Sequence, residues 1–444
     1  MTSLLKKRSI LLMMTFIIAL VVIPASPVQA AGKPKLEYRV YSIAGSVTDT
    51  FAVEYADGKY VALCNSGQIF YSENGRDWNR AVWQGFLPDL YALAYKDGLW
   101  VAAGNSSSIV VSKDGIHWTN CKKRPTTTKD IRCLHAGKDK FVAMVDGGSF
   151  IWSKDGQEWN YVERESWKEW VPRTINYANG KYYAFGWDNG YYALMFTSPD
   201  GINWDEQRTS WAWEVTGAEW GNDQFLLAGT DSVTLFPAMY SSTDCKKVVT
   251  CPPMPQTWED SYYRYGHGYF FAIDRYMLYW TKDGNSWETA CHDCELNWKA
   301  LAFGKHELAA FADGGKVLII NTDPFSSDLA SLETSAGKLS SAFKPSETKY
   351  TLQVPAGPLT IKAIPVNKQA VLEFSDGTQV SSDSSMTALI KDNTTVRLKL
   401  TAPTGESRTY EIAVQCEKPK STAVLAQKKP VKPAKPGVKI ALKN

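Results

Sequence analysis

From about residue 50 to residue 320 the chain alternates short apolar runs with tight polar punctuation. This is the period of half-buried strands, not the wider spacing of amphipathic helices. One run, Lys59-Tyr60-Val61-Ala62-Leu63-Cys64-Asn65, aligns with 99–105, 140–146, 181–187, 224–230, 269–275 and 307–313. Its fourth position is Ala in six of the seven copies, Leu227 being the exception, and a small residue there suits strands crowded near a central axis. Asp57-Gly58, Asp97-Gly98, Asn179-Gly180 and His267-Gly268 precede four of these runs, and such pairs suit two-residue hairpins. Downstream stands a box, Ser72-Glu73-Asn74-Gly75-Arg76-Asp77-Trp78, whose third position recurs at 114, 155, 200, 244, 283 and 323. The copy at 244 is degenerate and the one at 323 is truncated.

Each unit therefore reads strand, tight turn, strand, polar loop, strand, box, strand. Four short strands at a period of roughly 40 residues mark a β-propeller blade. The seventh unit runs out of sequence after Asp323, while an orphan strand-like stretch, residues 37–42, precedes the first. Ring closure by that N-terminal strand solves both problems and removes a sticky sheet edge. The sequence predicts an all-β protein, with a seven-bladed propeller over 36–324 closed by the N-terminal strand.

The S-x-D-G-x-x-W box resembles the Asp-box (BNR-type) repeat of sialidases and related secreted propellers, although that family has one more residue between Asp and Gly. The resemblance covers about 290 residues and implies a fold, not an activity. In it the Asp accepts hydrogen bonds from turn amides and the Trp packs between strands. Sialidase chemistry is disfavoured. That family has six blades, an Arg-Ile-Pro motif and three arginines around the substrate carboxylate, whereas only Arg275 stands on a polar loop here. After Asp323-Pro324-Phe325 the pattern changes: Leu329, Leu332, Ser335, Gly337, Leu339, Phe343 and Tyr350 lead into strand-like runs at 359–366, 370–374, 385–390, 395–400 and 411–415. This stretch, 325–416, resembles the bacterial cadherin-like β-sandwich, which implies a spacer or adhesion module.

The ends indicate the compartment. Lys6, Lys7 and Arg8 precede an apolar run at 10–23, then Pro24 and Val28-Gln29-Ala30, the layout of a cleavable signal peptide over 1–30. The run is too short to span a bilayer, so no transmembrane span is expected after its removal and the mature protein is expected to be secreted, or cell-wall associated. Residues 417–444 carry eight Lys against one Glu with many Pro and Ala, an extended disordered tail able to hold anionic wall polymers or a membrane surface by charge. The net charge of +3 thus conceals an acidic body, which argues against nucleic acid as partner.

All eight cysteines follow the signal segment. Cys121/Cys133, Cys245/Cys251 and Cys291/Cys294 are close in sequence, whereas Cys64 and Cys416 fall in apolar strand patterns as buried thiols. Cys291-His292-Asp293-Cys294 lacks a second ligand pair, so neither a metal nor another cofactor is expected.

Candidate ligand groups gather on the face shared by the polar loops and the blade connections. The loops contribute Asp146, Asp188, Asp231, Asp274 and Asp313 together with Asn65 and Asn105; the connections contribute Trp167, Trp170, Trp211, Trp213 and Trp258. Aromatic faces beside carboxylates suit carbohydrate. A bland reading remains open, with the Trp wedged between blades and the Asp forming turns. The function expected is a monomeric, non-catalytic extracellular binding or scaffold protein gripping glycan or protein. A glycan-active hydrolase or lyase using face carboxylates, and an extracytoplasmic assembly factor, are the alternatives.

Overall fold

The computed structural model describes residues 36–417 apart from 44–46, 48, 84, 86–87, 163–169, 189–192, 253–261, 274–276, 292–295, 376, 378 and 382–383. The segment expected to be a signal peptide and residues 418–444 of the basic tail lie outside the described residues, as do Trp167, Trp258 and Asp274. Among the described residues no helix is long and apolar enough to cross a membrane.

Up to residue 327 the described residues form seven antiparallel sheets of four strands. Six are consecutive in sequence; the seventh takes its outer strand, Tyr38–Ser42, from the N-terminal end, paired with Lys316–Asn321 in the register Tyr38 to Ile320. The first strand of each sheet packs beside the first strand of the next, and Trp298–Phe303 returns to Thr50–Ala56. These inner strands are Thr50–Ala56, Leu90–Lys96, Ile131–Ala136, Val171–Ala178, Ala212–Gly221, Tyr262–Gly266 and Trp298–Phe303. They surround a cavity of about 750 Å³ to which all seven contribute lining residues.

The repeated Ala sits one strand further out than its size suggested. Ala62, Ala102, Ala143, Ala184, Ala272 and Ala310 lie on second strands and are fully buried. Their crowding comes from the facing sheet: Ala143, for example, shares a core with Ala92, Ala94 and Val101 of the preceding one. The boxes join third to fourth strands and are built as the residue types dictate. Asp200 Oδ1 accepts the amides of Ile202 (2.9 Å) and Asn203 (2.8 Å) and the Ser198 hydroxyl (3.0 Å). Asp114 and Asp155 repeat this. The indoles of Trp78, Trp118 and Trp159 each donate to the carbonyl of the box glycine. Trp159 is buried in the core that also holds Val101 and Ala103 of the sheet before, so the box also glues sheets together.

A second unit comprises 328–400 and 407–417. Its three-stranded sheet (Leu329–Thr334, Gly357–Pro365, Ser384–Ile390) and five-stranded sheet share one apolar core. In the larger sheet Lys349–Pro355 runs parallel to Ser407–Glu417. Tyr410 is buried there; its hydroxyl donates to Pro345 O (2.9 Å) and accepts the Leu329 amide (3.1 Å). Phe325, assigned to this region from the sequence, belongs instead to the first unit, buried against Tyr269, Phe271 and Trp280.

The hydrogen bonds to Asp200 hold its carboxyl down at about 2 against the opposing effect of burial. A depressed carboxylate contributes stability above its unfolded value of about 4 and loses it as pH falls towards 2. Asp200→Ala is therefore expected to lower stability by about 1–2 kcal/mol at pH 6, with the deficit shrinking in acid. Denaturant unfolding across that range checks it; a pH-independent deficit contradicts it.

Candidate functional site

Among the described residues six of the seven inner strands carry a β-bulge near their start, which places one extra residue against the second strand. The extra residues are Phe51, Tyr91, Arg132, Arg173, Trp213 and Lys299. Bulges re-aim side chains and cluster at rims of closed β structures. Here five of the six, all but Trp213, line the cavity. Arg132 is held by Asp146 (2.9 Å) and Asp130 (3.0 Å) and lies 4.7 Å from the centre of the Tyr91 ring. Arg173 pairs with Glu214, and Lys299 with Asp313 at 3.8 Å. A recess of about 470 Å³ between Asp146, Gly147, Trp170 and Arg173 adjoins the cavity, sharing Arg132 and Arg173 with it.

Deeper along the same strands the cavity wall carries Glu54, His135, Glu219 and Arg264. Glu219 accepts the Tyr265 amide (3.1 Å) and faces Arg264 at 3.9 Å. Burial raises its carboxyl to about 7 even though the guanidinium pulls the other way. Burial raises Glu54 as well, and burial together with Arg264 holds the His135 imidazole down at about 4. Cys133, also on the wall, has its thiol pushed up to about 12 by burial and donates to Arg173 O (3.3 Å), so it is no nucleophile. Among the described residues no cluster of metal-ligating groups occurs.

The residues singled out in the sequence take several roles. Trp170 is 2% exposed, stacked on Phe196 and tilted against Phe150, and its indole donates to Gly148 O (3.0 Å). It immediately precedes an inner strand, as Asp89 and Asp130 do, and those two carboxylates accept the amides of Gly67 (3.2 Å) and Ser106 (2.9 Å). All three thus fasten a sheet to the polar loop of the sheet before; the Trp170 ring is a seam element, not an open platform. Trp211 is half-buried against Tyr240, and Trp213 is half-buried. Asp231 turns inward to accept Val233, Thr234 and the Tyr240 hydroxyl (2.9 Å), and Asp313 accepts Asn297. Asp188 is half-buried, 3.7 Å from Arg208. Of the candidates among the described residues, Asp146 and the buried Trp170 line the recess beside the cavity mouth. Cys64, Cys121, Cys133, Cys245, Cys251 and Cys416 are free thiols, so Cys121 and Cys133, like Cys245 and Cys251, are unbridged. Cys416 is half-buried, not buried; Cys291 is disulfide-bonded. Of the bulged residues sequence reasoning named Trp213 and missed the five that line the cavity, Phe51, Tyr91, Arg132, Arg173 and Lys299.

No protein-family model matches the chain, and no curated protein matches it in sequence. Solved structures are similar to it in fold. YCF48 in complex with a peptide aligns with a TM-score of 0.52 at 14% identity, over 64% of this chain and 97% of that one. Virginiamycin B lyase from Staphylococcus aureus aligns at 0.53 and 11%, over 65% and 99%. The extracellular domain of a hybrid two-component protein from B. thetaiotaomicron aligns at 0.50 and 8%, over 88% and 60%.

Two measurements follow. Truncating a buried indole costs about 3–5 kcal/mol, so Trp170→Ala is expected to lower the urea midpoint sharply; a neutral effect contradicts the seam role. For the deep cluster, a raised carboxyl makes stability fall as pH rises from about 4.3 to about 7, and a depressed imidazole makes it fall as pH drops from about 6.5 to about 4. The melting-temperature advantage of Glu219→Gln over the parent should grow towards alkaline pH and that of His135→Gln towards acid; flat differences for both contradict the assignment. With seven four-stranded sheets around one cavity and these structural neighbours, the chain has a β-propeller fold.

Proposed function

We propose that the chain is an exported, monomeric binding protein. It comprises a seven-bladed Asp-box propeller closed by its N-terminal strand and a cadherin-like sandwich. The propeller grips a glycan or an extended protein segment at the cavity mouth. One observation carries this reading: the repeated bulge brings aromatic and cationic side chains from five sheets to one opening. Phe51 and Tyr91 offer apolar faces, while Arg132, Arg173 and Lys299 offer donors already oriented by carboxylates. Convergent, pre-oriented polar groups beside aromatic faces suit a hydroxyl-rich glycan or the backbone of an extended protein segment. The neighbours lend the mode some support, since YCF48 holds a peptide and virginiamycin B lyase holds quinupristin. Asp146 is kept as a ligand group of the recess.

A second reading is favoured by Glu219. A carboxyl raised to about 7 on a cavity wall, with Glu54 and His135 on the same wall, is suited to general acid–base work. It fits the glycan-active alternative better than do the loop aspartates. Screening residues 31–444 against glycan and peptide arrays separates the two. The binding reading expects capture without product release, weakened about tenfold or more by Tyr91→Ala and by Lys299→Ala. Capture indifferent to both substitutions contradicts it, and product release abolished by Glu219→Gln moves the assignment to an enzyme.

A further inference from the structure

The polar loop of the fifth sheet ends in a tight apolar tip. Val233, Leu235 and Phe236 are 87, 56 and 71% exposed, so three large apolar side chains stand in solvent within four residues. The loop is braced to hold them there. Asp231 Oδ1 accepts the amides of Val233 (3.0 Å) and Thr234 (2.7 Å) and the Thr234 hydroxyl (2.9 Å), while Oδ2 accepts Tyr240. Backbone bonds from Leu235 N to Asp231 O (3.0 Å) and from Asp231 N to Phe236 O (2.9 Å) close it. Leu235 is in the left-handed region at φ 60°, a strained backbone for a residue with a Cβ. Hydrogen bonds from Ser232 N to Trp211 O (3.3 Å) and from the Ser232 hydroxyl to Ser210 O (2.8 Å) anchor the base. The one charge in the loop is thus saturated by loop donors, and the exposed tip is uncharged, with Thr234 the polar residue among Val233, Leu235 and Phe236.

We propose that this tip inserts into the headgroup boundary of an anionic lipid bilayer, with the basic segment 417–444 supplying the electrostatic half of the attachment. A protein partner would need a pocket shaped to a convex, rigid tip, whereas a fluid interface accepts one without complementarity. Shallow apolar insertion alone holds a protein marginally and needs a second signal. Eight Lys against one Glu in 417–444 constitute such a signal, since polybasic segments concentrate at anionic leaflets. Insertion of the tip uses none of the side chains that line the cavity.

The described residues of both units lie within 36–417, so the test uses residues 31–444 and loses none of them. Co-sedimentation with phosphatidylcholine vesicles, with and without phosphatidylglycerol, is expected to show binding only to the anionic set, weakened by salt. The triple substitution Val233→Ser, Leu235→Ser, Phe236→Ser is expected to cut that binding by about tenfold or more with an unchanged melting temperature. Val249→Ser, equally exposed at 66% on a fourth strand, serves as control and leaves it unaltered. Anionic-vesicle binding that survives the triple substitution overturns the proposal. So does an absence of vesicle binding, including the case in which the tip captures a protein instead.

Discussion

Placing the first strand of every sheet beside those of its two neighbours leaves one face of each inner strand looking into the cavity and the other into an inter-sheet core. A polar side chain on such a strand must therefore face the cavity or be buried without water. The bulge at the start of six of these strands is the device that meets this constraint. The residue before it stays in register as Thr50, Leu90 or Ile131, all buried, and the bulged residue swings to the mouth. Removing the extra residue would flip the alternation of the remaining strand and drive Glu54 or His135 into an apolar core.

That constraint also explains the division of labour between the two kinds of charge. Cations of the mouth are each paired with a carboxylate from their own or an adjacent strand or loop, which fixes their direction while leaving them partly exposed. Deeper in, Glu54, Glu219 and His135 share Arg264 as their common positive neighbour, and burial dominates their titration. One cavity thus offers donors at its entrance and proton-accepting groups further in.

How much of this was legible in the sequence depended on how local each feature is. The box could be read directly because its Asp, Gly and Trp satisfy one another within seven residues, and the hairpin pairs are local for the same reason. Strand order within a sheet followed from repetition. Bulges depend on the register against a partner strand, and the bulged residues share no identity (Phe, Tyr, Arg, Arg, Trp, Lys), so no repeat exposed them. Trp170 was misleading because a loop tryptophan looks exposed in one dimension. The available signal was its alignment with Asp89 and Asp130 directly before an inner strand. A second was the pair Gly148 and Gly186, where an added Cβ would meet the indole at 2.1 and 2.0 Å.

The most direct test of the account is side-chain footprinting of the chain with a ligand captured from the arrays. Hydroxyl-radical oxidation should be suppressed at Phe51 and Tyr91, with Trp78 and the other box residues reacting as in the free protein. Protection confined to the box end, or to the outer strands, would contradict the claim that the inner-strand bulges build the binding site.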